Sequence, residues 1–288
     1  MRWAVAAGIV LAATLGGYER AIDELVGGPV TTVHRLKRAQ ESEDVLATEL
    51  EEAPARMAEV HASAGPRVVP VAGDLDVYVV DAARGGAPSI VFLTGSCTHP
   101  RAAMTAFQHA GAAHGGIVAL QGDLPCRGDG TLRRWSPDAV LTSSRIDAAL
   151  TAAGAGSTTD LTLVGYSQGA ERAEWLALRF PAKYTRFVLM AGPVVPAPVR
   201  FAGARGVATL AGHGDVRETM AAGARRLRRA SIPALYLEVP GTQHGELSPQ
   251  IDAFVGKALD WLDDRAPLTR DPRDDRRGDG AARRDALR

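Results

Sequence analysis

The chain has 288 residues and a formal net charge of zero, with 33 Lys and Arg residues against 33 Asp and Glu residues. This balance leaves no excess of basic side chains to neutralise phosphates, which argues against a nucleic-acid-binding protein. With 46% hydrophobic and 23% charged residues, the composition is typical of a globular protein with a sizeable core, not of a fibrous or disordered chain.

The N-terminus has the pattern of a secretory signal, because Arg2 precedes an apolar run over residues 3–15 and two glycines follow. This run is shorter than the roughly 20 residues of a membrane-spanning helix, so we expect no integral membrane domain. Residues 1–17 are therefore interpreted as a signal or hydrophobic N-terminal segment, and the protein as periplasmic or secreted. A buried N-terminal helix in a cytoplasmic protein is the alternative, since Leu15 fits a cleavage site badly.

Two other segments lie outside the predicted core. Residues 18–64 are mostly polar with weak helical periodicity, which predicts a helical or linker region of unknown role. Residues 265–288 consist almost wholly of Arg, Asp, Ala, Gly and Pro, so we expect a disordered, solvated tail there.

Residues 65–264 alternate short apolar runs with amphipathic stretches. The apolar runs predict strands over 77–80, 90–93, 117–120, 161–164, 187–190, 207–210 and 235–239. The amphipathic stretches predict helices over 101–113, 143–153, 170–180, 218–229 and 249–262. This alternation predicts an α/β domain with a mostly parallel central sheet and helices on both faces.

The most informative segment is Gly165-Tyr-Ser167-Gln-Gly169, which follows a predicted buried strand and directly precedes a predicted helix. A tight strand-to-helix turn of this kind lifts the serine hydroxyl above the sheet, and larger residues at the two glycine positions would collide. The N-terminus of the helix supplies free amides where an oxyanion would form. The pattern predicts Ser167 as a nucleophile, with an inert serine in a tight turn as the alternative.

This segment resembles the nucleophile elbow of the α/β-hydrolase superfamily, and the resemblance extends over about residues 68–262. It implies an α/β-hydrolase fold in which an acid and then a histidine follow the serine along the chain. His244 comes after the last predicted strand, where the family carries its base, and Asp215 follows the preceding strand, where the family carries its acid. The resemblance therefore implies a catalytic triad of Ser167, Asp215 and His244.

Other acids and another base stay open at this point. Glu238 and Glu246 are the alternative acids, and His213 is the alternative base. His213 is the poorer base, because no Asp or Glu in a strand-end loop lies between it and Ser167.

An oxyanion hole needs two backbone amides, which the family takes from the residue after the serine and from the loop after an earlier strand. The resemblance implies Gln168 and Ser96 as these donors, with Cys97 as the neighbouring alternative to Ser96. The chain carries Thr94-Gly95 where the family often has His-Gly.

The two cysteines, Cys97 and Cys126, follow predicted strands that are neighbours in the α/β-hydrolase sheet. That sheet order implies that a Cys97–Cys126 disulfide is within reach, which would fit an exported protein; two reduced thiols are the alternative. Trp135, in the loop after Cys126, and Tyr166, beside the nucleophile, are the candidate substrate-binding residues.

Larger family members insert a lid where this chain has only the short, Pro-rich stretch 193–205, so no large cap domain is expected. The sequence thus predicts a serine hydrolase that cleaves carboxylic esters or thioesters of small or acyl-chain substrates, without a cofactor or metal. The alternatives are a non-catalytic binding module on the same fold, and a peptidase or other hydrolase-fold chemistry.

Overall fold

The computed structural model describes residues 65–128, 130–155, 161–246 and 248–268. The chain divides into two units, residues 1–61 and 62–288, and every described residue belongs to the second unit. The predicted signal segment, the region 18–64 and most of the predicted tail therefore lie outside the described residues.

Ten strands occur in the described part of the chain. They are β1 (Arg67–Val69), β2 (Val77–Val80), β3 (Ile90–Leu93), β4 (Ile117–Leu120), β5 (Leu124–Pro125), β6 (Arg133–Arg134), β7 (Leu161–Tyr166), β8 (Tyr184–Met190), β9 (Gly206–Gly212) and β10 (Ala234–Val239). Each of the seven predicted strands lies within one of these strands. The sequence did not predict β1, β5 and β6, which have only two or three residues each and carry no buried apolar run.

Six α-helices and one 3₁₀ helix connect these strands in the same part of the chain. The α-helices are α1 (Pro100–Thr105), α2 (Gln108–Ala113), α3 (Ala139–Ala152), α4 (Gln168–Arg179), α5 (Arg217–Arg229) and α6 (Ile251–Arg265); the 3₁₀ helix is Pro198–Phe201. No helix of the described residues is long and apolar enough to span a bilayer.

Eight strands form one sheet in the order β1-β2-β4-β3-β7-β8-β9-β10, and β5 pairs with β6 in a separate hairpin. Within the eight-stranded sheet only the β1–β2 and β2–β4 pairs are antiparallel, so the prediction of a mostly parallel sheet is confirmed. Because parallel strands all end at the same edge, the loops after β3, β7, β9 and β10 meet there.

Both faces of the sheet are covered, which explains why its central strands are predominantly apolar. In β3, Val91 and Leu93 face a cluster formed with α3, α4 and α5. Ile90 and Phe92 alternate with them and face the second cluster, formed with α1, α2 and α6.

The prediction of a single helix over 101–113 is wrong, because the helix is interrupted between α1 and α2 at Phe107. Phe107 is fully buried against Phe92, with ring centroids 5.0 Å apart. The carboxylate of Asp252 then accepts the backbone N–H groups of His109 and Ala110, each at 3.1 Å. The end of the first helix thus follows from a core contact, and the start of the second from a cap 143 residues away in sequence.

Candidate active site

The turn between β7 and α4 has the backbone of a strained elbow. Ser167 has φ +52° and ψ −116°, an unusual conformation for a residue with a side chain. A Cβ on Gly165 would lie 2.6 Å from the carbonyl oxygen of Gly169, and one on Gly169 would collide with the carbonyl of Leu93. The two glycines are therefore required by close backbone contact, as the sequence pattern predicted.

The structure brings Ser167, His244 and Asp215 together in one chain of hydrogen bonds. Ser167 Oγ lies 3.0 Å from His244 Nε2, and His244 Nδ1 lies 2.9 Å from Asp215 Oδ1. With the Nδ1–H donated to the carboxylate, Nε2 is free to accept the serine hydroxyl proton. The three residues come from the loops after β7, β9 and β10, so the parallel sheet itself places them at one edge.

Asp215 is held in an almost fully buried position while the histidine faces solvent. The Asp215 side chain is 4% exposed, and the His244 side chain is 50% exposed. The backbone N–H of Val216 also donates to Asp215 Oδ1 at 2.6 Å. Met190 and Val239 line an apolar pocket beside Asp215, which limits screening of the carboxylate by water.

The alternative acids and base point elsewhere. Glu238 lies 2.6 Å from His213 Nδ1, and this hydrogen bond lowers the pKa of Glu238 below its ordinary value. Glu246 accepts the backbone N–H of Gln243 at 3.2 Å. Neither carboxylate contacts His244 in the described structure, and His213 does not contact Ser167.

Tyr166 supports the loop that carries the histidine. Its phenol oxygen accepts the backbone N–H of Gly245 at 2.7 Å, and its ring stacks on the His244 ring with centroids 5.7 Å apart. Burial raises the pKa of Tyr166 above its ordinary value, and the negative charge of Asp215 adds to this. The phenol therefore stays neutral, and the contacts assign Tyr166 to positioning the histidine loop more directly than to the predicted substrate binding.

The two predicted oxyanion donors have unoccupied amides. Neither the Ser96 nor the Gln168 backbone N–H has a hydrogen-bond acceptor within the described residues. The Cys97 N–H, by contrast, donates to the carbonyl of Arg133 at 2.7 Å. This contact makes Cys97 a poorer candidate donor than Ser96.

The cysteines Cys97 and Cys126 are joined by a disulfide, with 5.9 Å between their Cα atoms. The bond links the loop after β3 to the β5–β6 hairpin. It lies directly beside Ser96, so it restrains the segment that carries the first predicted oxyanion donor.

Trp135 does not line a substrate-accessible surface, so its burial contradicts the prediction that it binds substrate. Its residue surface is 2% exposed, and its ring belongs to the core beneath the site. The indole N–H donates to the Thr94 carbonyl at 2.7 Å, and Arg145 packs over the ring. The residue looked like a surface residue because polar neighbours flank it in sequence; the contacts that bury it come from distant segments.

Comparison with solved structures finds the same architecture in three esterases. The structure of esterase PE8 has a TM-score of 0.52 and 19% sequence identity, over 70% of this chain and 100% of that one. Est1E from Butyrivibrio proteoclasticus has a TM-score of 0.51 and 11% sequence identity, over 70% of this chain and 99% of that one. Naproxen esterase (carboxylesterase NP) from Bacillus subtilis has a TM-score of 0.51 and 9% sequence identity, over 74% of this chain and 96% of that one.

The chain has the α/β-hydrolase fold. No protein-family profile matches its sequence, and no curated protein matches it significantly. At these low identities the likeness concerns the fold, and the chemistry must be argued from the site itself.

No large cap domain occurs among the described residues. The stretch 193–205 instead packs onto the neighbouring helices, where Phe201 is fully buried and Arg200 pairs with Glu174 of α4 at 2.8 Å. A Cβ on Gly223 of α5 would collide with the Pro196 ring, so this stretch also lies directly on that helix. This stretch is therefore packed against the helices and does not form a separate lid domain.

Proposed function

We propose that this α/β-hydrolase-fold protein is a serine hydrolase that cleaves carboxylic esters or thioesters through an acyl-enzyme. The observation that carries the proposal is the continuous chain from Ser167 Oγ through His244 to Asp215, with distances of 3.0 and 2.9 Å. The esterase names of the three structural neighbours also support it. Nucleophile, base and orienting acid are the three parts that acyl transfer by serine requires.

In the proposed acylation step, Ser167 Oγ–H transfers its proton to His244 Nε2 while Oγ bonds to the substrate carbonyl carbon. The carbonyl oxygen becomes an oxyanion, which accepts hydrogen bonds from the backbone N–H groups of Ser96 and Gln168. Collapse of this intermediate breaks the bond to the alcohol or thiol, and the imidazolium returns its proton to that leaving group. Asp215 stabilises the imidazolium while it carries the proton.

In the proposed deacylation step, His244 Nε2 takes a proton from a water molecule whose oxygen attacks the acyl carbon. The second oxyanion forms in the same place, and its collapse breaks the bond to Ser167 Oγ, which regains a proton from the imidazolium. Half of the His244 side chain is exposed, so water reaches the base without a conformational change.

The test is labelling with a fluorophosphonate probe, followed by mass spectrometry to locate the adduct. We expect a single adduct on Ser167, and loss of labelling in Ser167→Ala and His244→Ala. A panel of p-nitrophenyl esters of increasing chain length, run with the same proteins, should give hydrolysis in the wild type only.

The matched control is Ser144→Ala, which removes an exposed serine on α3 whose hydroxyl, among the described residues, bonds only to the Leu141 carbonyl. It should label and hydrolyse like the wild type. A folded wild type that neither labels nor hydrolyses any ester would overturn the proposal and favour the non-catalytic binding module. Labelling at Ser167 with activity only on amides would favour the peptidase alternative.

We also propose that the protein is exported to an oxidising compartment. The support is the hydrophobic N-terminal pattern together with the Cys97–Cys126 disulfide, since such bonds persist mainly outside the cytosol. Thiol titration of the denatured, unreduced protein from its native host should find no free thiol. Two free thiols would contradict the proposal.

A further inference from the structure

Trp135 and the strand before it contact the loop of the first proposed oxyanion donor on both sides of Ser96. Before Ser96, the Thr94 carbonyl accepts the Trp135 indole N–H at 2.7 Å. After it, the Cys97 N–H donates to the Arg133 carbonyl at 2.7 Å. Ser96 thus lies between Thr94, which is bonded to Trp135, and Cys97, which is bonded to β6 directly before that tryptophan.

The same tryptophan is bonded to the second proposed donor. The backbone N–H of Trp135 donates to Gln168 Oε1 at 2.9 Å, and Gln168 Nε2 donates to the Trp135 carbonyl at 3.3 Å. This two-way contact fixes the Gln168 side chain against the backbone of Trp135. One buried residue therefore holds both segments whose amides would bind the oxyanion.

The loop of Ser96 needs such support because its backbone is strained and it has no regular secondary structure. Cys97 has φ +55°, a left-handed conformation that residues with a Cβ adopt rarely. A residue held in this region persists only when its surroundings restrain it. Here the restraints are the disulfide, the Arg133 carbonyl and, through Thr94, the Trp135 indole.

We infer that Trp135 is a positioning residue of the oxyanion hole, which sets the spacing between the Ser96 and Gln168 amides. The inference rests on the proposed function, since it assigns these amides to the oxyanion. It gives the tryptophan a role that its burial makes possible: a rigid ring in the core holds two backbone segments without touching substrate. Since oxyanion donors act on the tetrahedral intermediate and little on bound substrate, their displacement should affect catalysis more than substrate binding.

The test is Trp135→Phe, which keeps an aromatic ring and removes the indole N–H. We expect kcat for a p-nitrophenyl ester to fall roughly 10- to 100-fold, with KM within about twofold of the wild type, as for displaced oxyanion donors. The inhibition constant of a trifluoromethyl ketone, whose adduct with serine carries an oxyanion, should rise by a similar factor. The pH profile of kcat/KM should stay unchanged, because the histidine and its acid are not touched.

A second variant, Gln168→Met, keeps the backbone amide and removes both side-chain contacts to Trp135. It should change kcat and the inhibition constant in the same direction, and it decides the question if Trp135→Phe does not fold. The matched control is Trp175→Phe, the same chemical change at an exposed tryptophan of α4. Its kcat and inhibition constant should match those of the wild type.

Folded variants at Trp135 and Gln168 with wild-type kcat and wild-type inhibition by the ketone would overturn the inference while leaving the proposed function intact. A parallel rise in KM without loss of kcat would also overturn it, because that pattern indicates ordinary substrate binding. Failure of the proposed function is distinguishable, since the wild type would then neither hydrolyse the ester nor label at Ser167.

Discussion

Oδ1 of the Asp215 carboxylate makes two short contacts, with the Val216 backbone N–H and with His244 Nδ1. The first contact fixes the carboxylate on its own turn, and the second fixes the imidazole tautomer. Because the carboxylate is buried, both contacts act with little competition from water. Loss of its charge should therefore matter more than loss of an exposed carboxylate elsewhere.

We predict that Asp215→Asn lowers kcat for ester hydrolysis by about 10³- to 10⁴-fold, because the amide no longer holds the imidazole in the tautomer that accepts the serine proton. Steady-state kinetics with circular dichroism on the same samples would measure this. Glu238→Gln and Glu246→Gln serve as controls, since neither side chain reaches His244. If either control lost activity while Asp215→Asn kept it, the acid would be misassigned.

Tyr166→Phe is predicted to lower kcat about 3- to 10-fold, the effect of one hydrogen bond of about 1 kcal/mol. The variant keeps the ring that stacks on His244 and removes only the oxygen that accepts the Gly245 N–H. The imidazole should then be held less firmly near Ser167. Rates at saturating substrate would show the effect, and an unchanged kcat would mean that other contacts hold the histidine loop.

At the scale of elements, α4 connects the nucleophile to the stretch that replaces a lid. The helix begins at Gln168, directly after Ser167, and at its middle the buried Glu174 pairs with Arg200. Burial raises the pKa of Glu174 to about 7, although the hydrogen bond and charge of Arg200 act in the opposite direction. The carboxyl is therefore partly protonated near neutrality, and its ionisation opposes folding.

The sign of the pH effect follows from this raised pKa. Between pH 4.5 and about pH 7 the folded chain keeps a proton on Glu174 that the unfolded chain has lost. The free energy of unfolding should therefore fall as pH rises through this window, by up to an amount on the order of 3 kcal/mol from this group. In Glu174→Gln this part of the pH dependence should disappear.

Urea unfolding of the wild type and Glu174→Gln at several pH values between 4.5 and 8 would measure the difference. Glu218→Gln is the matched control, because Glu218 lies on α5, its side chain is 82% exposed, and it pairs with its neighbour Arg217. It should keep the wild-type slope. Identical slopes in all three proteins would show that Glu174 ionises normally.

At the scale of the whole molecule, an ion pair between a buried arginine and a half-exposed aspartate joins the sheet to the helices on one face. Arg186 of β8 is buried and pairs with Asp263 of α6, which also bonds to His114 after α2 at 2.8 Å. Burial by itself would raise the pKa of Asp263, but the hydrogen bonds from His114 and Arg186 outweigh it and lower the pKa. Ionised Asp263 therefore stabilises the fold at pH values above its ordinary pKa. This contribution is lost as the pH falls through the lowered pKa of the folded state and the carboxylate becomes protonated.

We predict that Asp263→Asn lowers the free energy of unfolding by roughly 2–3 kcal/mol, because a buried guanidinium loses its counter-charge while half-exposure of Asp263 tempers the loss. The kcat of the folded variant should be unchanged. In the sheet, Arg186 lies opposite Thr162 of β7 and Gly206 of β9. These residues are at the N-terminal ends of their strands, whereas Ser167 follows the C-terminal end of β7, so the ion pair is far from the site. Denaturant unfolding and kinetics on one preparation test both statements, and unchanged stability would refute the first.

Much of the fold was predictable from sequence because its signals are local. Each predicted strand is a short apolar run, and such runs are buried on both faces of a parallel sheet whatever their neighbours. The break at Phe107 was missed because it depends on the core contact with Phe92 and on the cap from Asp252, which no local pattern connects to it. The hairpin of β5 and β6 was missed because four residues carry no periodicity.

The candidate site divides along the same line. The sequence by itself determined the elbow around Ser167, since two glycines and a following helix are features of adjacent residues. It also determined that Asp215 and His244 follow strands of a parallel sheet, and strand ends must meet at one edge. Only the tertiary structure decided that Glu238 pairs with His213 and that the buried Trp135 contacts the loop of Ser96. These roles depend on contacts between residues far apart in the chain, and the folded packing alone brings such residues together.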